Sequence, residues 1–276
     1  MNPILEVVLV CVLLGVLPAL VGILPRFIKS KKYPHTFAFL GCISAGVFLS
    51  LLLGDMIPEL FEKKPDISAT DRFFTLAPHD HSHFNYSLFL SGVVFLVFLV
   101  VDGVIGHAML GDHDHEHCHS HSHCHDEKTD VSSSVSLARA FAFVGIVSLH
   151  SALEGFRDIT FKTSFFHLLI HKLLEVFAIG TALMRVNLRL VSYCLLILFS
   201  SALTPAAHAI YYSMTSKNLL NELFLSVMGG LSLGAVVFAT FGECIPHEIG
   251  AQYPSIAYRI GYISIGYLAA SLISMF

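Results

Sequence analysis

Long apolar runs separated by short polar segments dominate the pattern of this chain. Each run approaches the ~20 residues that an α-helix needs to cross a bilayer. We therefore predict an all-α integral membrane protein with eight transmembrane helices, at about 4–26, 36–58, 86–109, 136–156, 163–185, 189–212, 222–246 and 255–275.

Composition supports a membrane protein. Hydrophobic residues make up 55% of the chain, charged residues only 13%, and the mean hydropathy is +0.72; soluble domains carry about 25% charged residues. We expect a single transmembrane domain over 1–276, interrupted by a disordered loop at about 111–135. The lipid bilayer is therefore one partner, whereas the net charge of −4 argues against nucleic acid as another.

A repeated motif links the second and seventh predicted helices. Gly46…Gly54-Asp55-Met56-Ile57-Pro58 and Gly234…Gly242-Glu243-Cys244-Ile245-Pro246 share the pattern G-x7-G-[D/E]-x-I-P. The first and sixth helices share a Pro-Ala pair. Helices one to three would then match helices six to eight with opposite topology, because two helices lie between them. Inverted repeats around a site at the membrane midplane are typical of transporters.

The fourth and fifth predicted helices each place a histidine four residues before a glutamate: His150 with Glu154, and His171 with Glu175. On a helix, residues at this spacing share one face. Two imidazoles and two carboxylates suit a divalent metal such as zinc. Ionisable groups at membrane depth are costly to bury, and those that occur there usually serve a function. We predict a transmembrane metal site; two buried salt bridges between helices are the alternative.

The loop after the third helix is rich in histidine. Its composition cannot build a core and is typical of a disordered metal-binding tract, although a solvated linker is the alternative. Lys and Arg residues, led by the cluster at 26–32, favour the cytosolic side for this loop. The candidate loop ligands are His113, His115, His117, His119, His121, His123 and His125. A shorter tract with His79, His81 and His83 lies in the opposite loop.

The motifs H-S-x-x-E-G at 150–155, H-K-x-x-E-x-x-A-x-G at 171–180 and E-x-I-P at 243–246 resemble those of the ZIP (Zrt-/Irt-like) metal transporters. The resemblance implies an eight-helix bundle in a 3+2+3 arrangement that moves zinc, and sometimes iron, manganese or cadmium, toward the cytosol. It implies metal ligation by His150, Glu154, His171 and Glu175. It also suggests that Glu243 relays metal along the path, unless it is a carboxylate at the membrane interface.

Some members of that family hold two metals. They carry Asn after the first histidine, Asp in the fifth helix and Glu before the proline of the sixth helix, where this chain has Ser151, Lys172 and Thr204. We therefore expect one full transport site, with the second site replaced or weakened. The Lys172 ammonium would pair with Glu175 or Glu243 and take the electrostatic place of a second cation.

These observations together predict a secondary or facilitative transporter, not an enzyme, with zinc as transported substrate and no resident cofactor. A homodimer is compatible with the sequence, and the plasma membrane is favoured over endosomal or vacuolar membranes. Two alternatives remain open. An intramembrane zinc-dependent hydrolase would need an open metal position and commonly H-E-x-x-H, which is absent. A non-transporting metal receptor would bind zinc without moving it.

Overall fold

The computed structural model of the protein describes residues 3–27, 34–58, 86–110, 127–157, 159, 165–184, 186, 188–217, 222–251 and 254–274. Within these ranges the chain is helical and contains no strand. The described residues form eight long helices: α1 Pro3–Ile23, α2 Pro34–Ser50, α3 Tyr86–Leu110, α4 Glu127–Glu154, α5 Phe165–Met184, α6 Leu190–Thr215, α7 Glu222–Phe238 and α8 Ile256–Ser274.

Seven of these described helices are long and apolar enough to cross a membrane. The protein is thus a multi-pass integral membrane protein, as predicted. The exception is α4, in which only Ala140–Glu154 is a continuous apolar stretch. Its N-terminal part carries charged residues and a run of serines, so the eighth crossing stays a prediction.

The start of α4 corrects one predicted boundary. The helix begins at Glu127, so residues 127–135 are helical rather than part of a disordered loop. The remainder of that loop, including His113–His125, lies outside the described residues, as does the tract at 79–83.

The helices pack in closely approaching pairs. α2 packs along α8, and α3 packs along α7, while α1 contacts both α5 and α6. A Cβ added at Gly46 of α2 would lie 2.1 Å from the carbonyl oxygen of Ile263 in α8, and one at Gly234 of α7 would lie 2.6 Å from that of Ser91 in α3. Small residues that bring backbones together are typical of helix contacts within membranes.

The two copies of the G-x7-G motif adopt the same irregular backbone. α2 continues into a π-helical turn at Leu51–Met56, and α7 into one at Ala239–Cys244 followed by a helical end at Ile245–Gly250. Each turn directly precedes the segment that holds the motif's proline. Proline lacks the N–H that would continue the α-helical pattern, which accounts for the altered hydrogen-bond register.

The largest hydrophobic cluster lies between α2, α4, α5, α6 and α7, and includes Phe48, Phe143, Val176, Ile197 and Phe238. By contrast, the outer faces of α1, α3 and α8 leave many large apolar side chains exposed. In water such a surface would drive aggregation, but in a bilayer it is the surface that contacts lipid. The buried interior therefore lies around α4 and α5, the helices that carry the predicted metal site.

Candidate metal centre

The two H-x-x-x-E pairs meet at the interface between α4 and α5. His150, Glu154, His171 and Glu175 each offer one ligand atom, and these atoms all lie within 4.8 Å of one another. The one-turn spacing places each pair on a single face of its helix. Packing of α4 against α5 then turns the two faces toward each other.

Both imidazoles direct the same ring nitrogen at the carboxylates. His150 Nε2 lies 3.7 Å from a Glu154 oxygen and 4.0 Å from Glu175 Oε2. His171 Nε2 lies 3.4 Å from the other Glu154 oxygen and 3.9 Å from Glu175 Oε2. His150, His171 and Glu175 are buried, and Glu154 is nearly so. The four side chains therefore converge on a small volume from which solvent is largely excluded.

The ring of His150 is oriented from behind by α7. Its Nδ1 lies 2.7 Å from the hydroxyl oxygen of Ser232, which is itself buried. When Nδ1 carries the proton and donates it to Ser232, Nε2 keeps a free lone pair toward the carboxylates. Hydrogen bonds of this kind hold a ligating histidine in the correct tautomer and orientation.

Lys172 places a cation inside the same cluster. Its ammonium lies 2.7 Å from Glu154 Oε2, contacts Glu175 Oε2 and donates to the Ser151 hydroxyl at 3.2 Å. Ser151 in turn donates to the other oxygen of Glu175. Lys172 is almost completely buried, and an uncompensated charge at such a place would be very costly. The two carboxylates thus share one ammonium.

Thr204 lies next to this network on α6. Its hydroxyl donates to the backbone carbonyl of Ser151 at 2.9 Å, and its side chain is buried. The three positions predicted to replace a second metal site, Ser151, Lys172 and Thr204, are therefore neighbours. They supply two hydroxyls and an ammonium, which is a poor ligand set for a second dication.

The donor set fits a divalent metal ion as substrate. Two nitrogen and two carboxylate donors suit zinc. Among the described residues His171 Nε2 is buried and has no hydrogen-bond partner, whereas Glu154 Oε2 is partly compensated by the Lys172 ammonium 2.7 Å away. A buried polar atom without a partner is costly unless something binds it.

Comparison with known proteins agrees with this chemistry. The sequence model of the ZIP zinc transporter family matches residues 4–273. The chain is a member of the ZIP family. No curated protein matches it closely enough to add to this assignment. Membership makes the protein a divalent metal transporter and places it in a family of transporters rather than enzymes.

Glu243 and the loop histidines are predicted site residues of this ZIP protein that are not part of the four-residue metal cluster. Glu243 is half-buried on the π-helical turn of α7, and it is not part of the group that His150, Glu154, His171 and Glu175 form. Its role along the path therefore stays a prediction. The loop histidines cannot be placed, because they lie outside the described residues.

The structure also brings three residues from outside the H-x-x-x-E motifs close to the site. Ser232 of α7 lies 2.7 Å from His150, and Asp55 of the π-helical turn after α2 lies 4.0 Å from His171. His167 of α5 in turn lies 3.5 Å from Asp55. A serine in an apolar helix is too common a feature to indicate a contact with His150. His167 lies four residues before His171, so the same spacing rule that identifies the ligand pairs would have placed the two histidines on one face.

Proposed function

We propose that this ZIP protein transports zinc into the cytosol through a single site formed by His150, Glu154, His171 and Glu175. The observation that carries the proposal is the convergence of these four buried donors within 4.8 Å of one another. A structural pair of salt bridges would not need both imidazole Nε2 atoms directed at both carboxylates. Iron, manganese and cadmium are further candidate substrates.

The ligand chemistry favours zinc over manganese. Imidazole suits zinc, copper, iron and nickel, whereas manganese prefers oxygen ligands. Two carboxylates neutralise a dication, and the two neutral imidazoles replace part of its water shell. Zinc also accepts four ligands in a tetrahedral arrangement without a preference from d-electrons, so the set of two nitrogen and two oxygen donors is sufficient for it.

Lys172 limits this site to one metal in our proposal. Its ammonium already contacts both glutamates, so it stands where a second cation would be electrostatically favoured. During transport the ammonium shares the carboxylates with the incoming zinc or moves away from them. Either event weakens zinc binding, and weaker binding suits a carrier because a carrier must also release its substrate.

The arrangement of the helices supports a 3+2+3 inverted repeat in one domain over 1–276. Under the repeat, α1, α2 and α3 correspond to α6, α7 and α8. The pairing of α2 with α8 then corresponds to that of α7 with α3. Likewise the π-helical turn of α2 corresponds to that of α7. A cytosolic histidine-rich loop, Glu243 on the path and a plasma-membrane location complete the proposal.

Zinc uptake by the purified full-length protein in liposomes tests this function. Each of the four alanine variants, at His150, Glu154, His171 and Glu175, should lose nearly all uptake at equal protein incorporation. Combining two of them should add little, because loss of one ligand already destroys a shared site. Ser148→Ala is the matched control, since Ser148 is buried on α4 and bonds Ser200 rather than the metal cluster.

Two results would contradict the proposal. Near-normal zinc uptake by both His150→Ala and Glu175→Ala would exclude the transport site. Zinc binding without flux in the unmodified protein would leave only a receptor role.

A further inference from the structure

A second, smaller group of metal-ligand side chains lies beside the central cluster, on the other side of the His171 ring. Asp55 Oδ2, on the π-helical turn of α2, lies 3.5 Å from His167 Nε2 and 4.0 Å from His171 Nδ1. The same Asp55 oxygen is buried and has no hydrogen-bond partner among the described residues. One carboxylate oxygen therefore faces two imidazoles of α5.

These residues form a series of increasing burial. The side chain of His167 is 39% exposed, that of Asp55 14%, and that of His171 4%. His171 stands at the junction, because its Nδ1 faces Asp55 while its Nε2 lies 3.4 Å from Glu154. A cation that enters beside His167 would meet Asp55 next and then reach the central carboxylates past a single imidazole ring.

We propose that His167 and Asp55 form an acquisition site that captures a hydrated zinc-like dication at the exposed end of α5 and passes it to His171. The inference rests on the proposed transport function, and His167 is the residue that it adds. One carboxylate and one imidazole leave at least half of the coordination positions of the ion to water. Such a site binds weakly, so it raises the local concentration of metal without trapping it.

The competing explanation is a plain ion pair between His167 and Asp55. An ion pair would help to hold α5 against α2 and would have no contact with the substrate. The two explanations differ in what can replace His167. Arginine keeps a positive partner for Asp55 but cannot ligate a cation, whereas cysteine ligates zinc and cadmium and cannot supply a positive charge.

Zinc uptake by the full-length protein in liposomes, measured over a range of zinc concentrations, separates them. His167→Ala should raise the half-saturating zinc concentration about tenfold, or about 1.4 kcal/mol, and leave the maximal rate within about twofold, because the central ligands are intact. His167→Arg should be at least as impaired. His167→Cys should recover zinc uptake and favour cadmium over manganese more than the unmodified protein does.

Any one of three results would overturn the acquisition site. His167→Ala could show the same half-saturating zinc concentration as the unmodified protein, or His167→Arg could take up zinc as well as the unmodified protein. The third such result is zinc uptake by His167→Cys that is no better than uptake by His167→Ala. Size-exclusion profiles and equal incorporation verify that each variant is folded. Failure of the proposed function looks different. In that case the unmodified protein itself moves no zinc, whereas failure of the acquisition site leaves its uptake intact.

Discussion

Replacing Lys172 by methionine should tighten zinc binding while it slows transport. The Lys172 ammonium lies 2.7 Å from Glu154 and contacts Glu175, so it competes with the metal for both carboxylates. Methionine fills a similar volume but carries no charge. In the metal-free variant the two buried glutamates lose their shared cation, and removing one partner of a buried ion pair typically costs about 3–5 kcal/mol. Zinc binding relieves that cost.

The size of the effect follows from electrostatics. Two unit charges about 4 Å apart interact by about 4 kcal/mol at an effective dielectric constant of about 20, so an ammonium repels a dication at that distance by about 8 kcal/mol. The flexible lysine stem relaxes away from the metal and reduces the realised difference. If only about 2 kcal/mol of it is realised, zinc affinity rises about 30-fold.

Competition between the purified protein and a zinc-chelating dye measures this affinity, and proteoliposome uptake measures the rate. Lys172→Arg is the matched control, because it keeps the charge and should bind zinc about as weakly as the unmodified protein. Metal-free Lys172→Met should also melt at a lower temperature and gain more stability from zinc. An unchanged or weaker zinc affinity in folded Lys172→Met would refute the competition between ammonium and metal.

Three further predictions concern the surroundings of the site. Lys172→Asp combined with Thr204→Glu should add a second bound metal per chain. Equilibrium dialysis counts the metals in this double variant and in its parent, both lacking the histidine-rich loop 113–125; an unchanged count would mean that geometry, not charge, excludes the second ion. Deleting 113–125 should leave uptake measurable, because the tract adds no apolar area, and should alter metal-dependent turnover or the internal release of zinc; complete loss of uptake by inserted protein would contradict this. Ser232→Ala should weaken zinc affinity about 10-fold or more, as expected for a residue that orients a ligating histidine, whereas Ser232→Thr keeps the hydroxyl and should retain most of it; equal affinities in the two variants would show that Ser232 does not orient His150.

The sequence alone was sufficient for the class of the protein and for naming the four side chains that the structure brings together. Apolar runs near the length of a membrane span are a strong signal, because the bilayer sets both the length and the polarity of a spanning helix. The pairs His150/Glu154 and His171/Glu175 were equally visible, since a four-residue spacing puts both side chains on one helix face whatever surrounds the helix. The family match over 4–273 agrees with the resemblance of these motifs.

Local patterns were less reliable at the start of α4. Polar and acidic residues at 127–135 were predicted to lie in a loop, yet they form the first turns of the helix. Composition separates apolar from polar segments. It does not separate a polar loop from a polar helix end, because acidic residues are favourable in both.

Only the tertiary structure decided which residues surround the two ligand pairs. Ser232 contacts His150 across 82 positions of the chain, and Asp55 meets His167 from another helix. No spacing rule connects residues on separate helices, because their contact depends on how each helix is rotated and how closely it packs. The shared ammonium of Lys172 shows the same limit. Its charge was evident from the sequence, but its simultaneous contact with Glu154 and Glu175 arises because packing of α4 against α5 encloses all three side chains in one buried volume, where a cation and two carboxylates must pair.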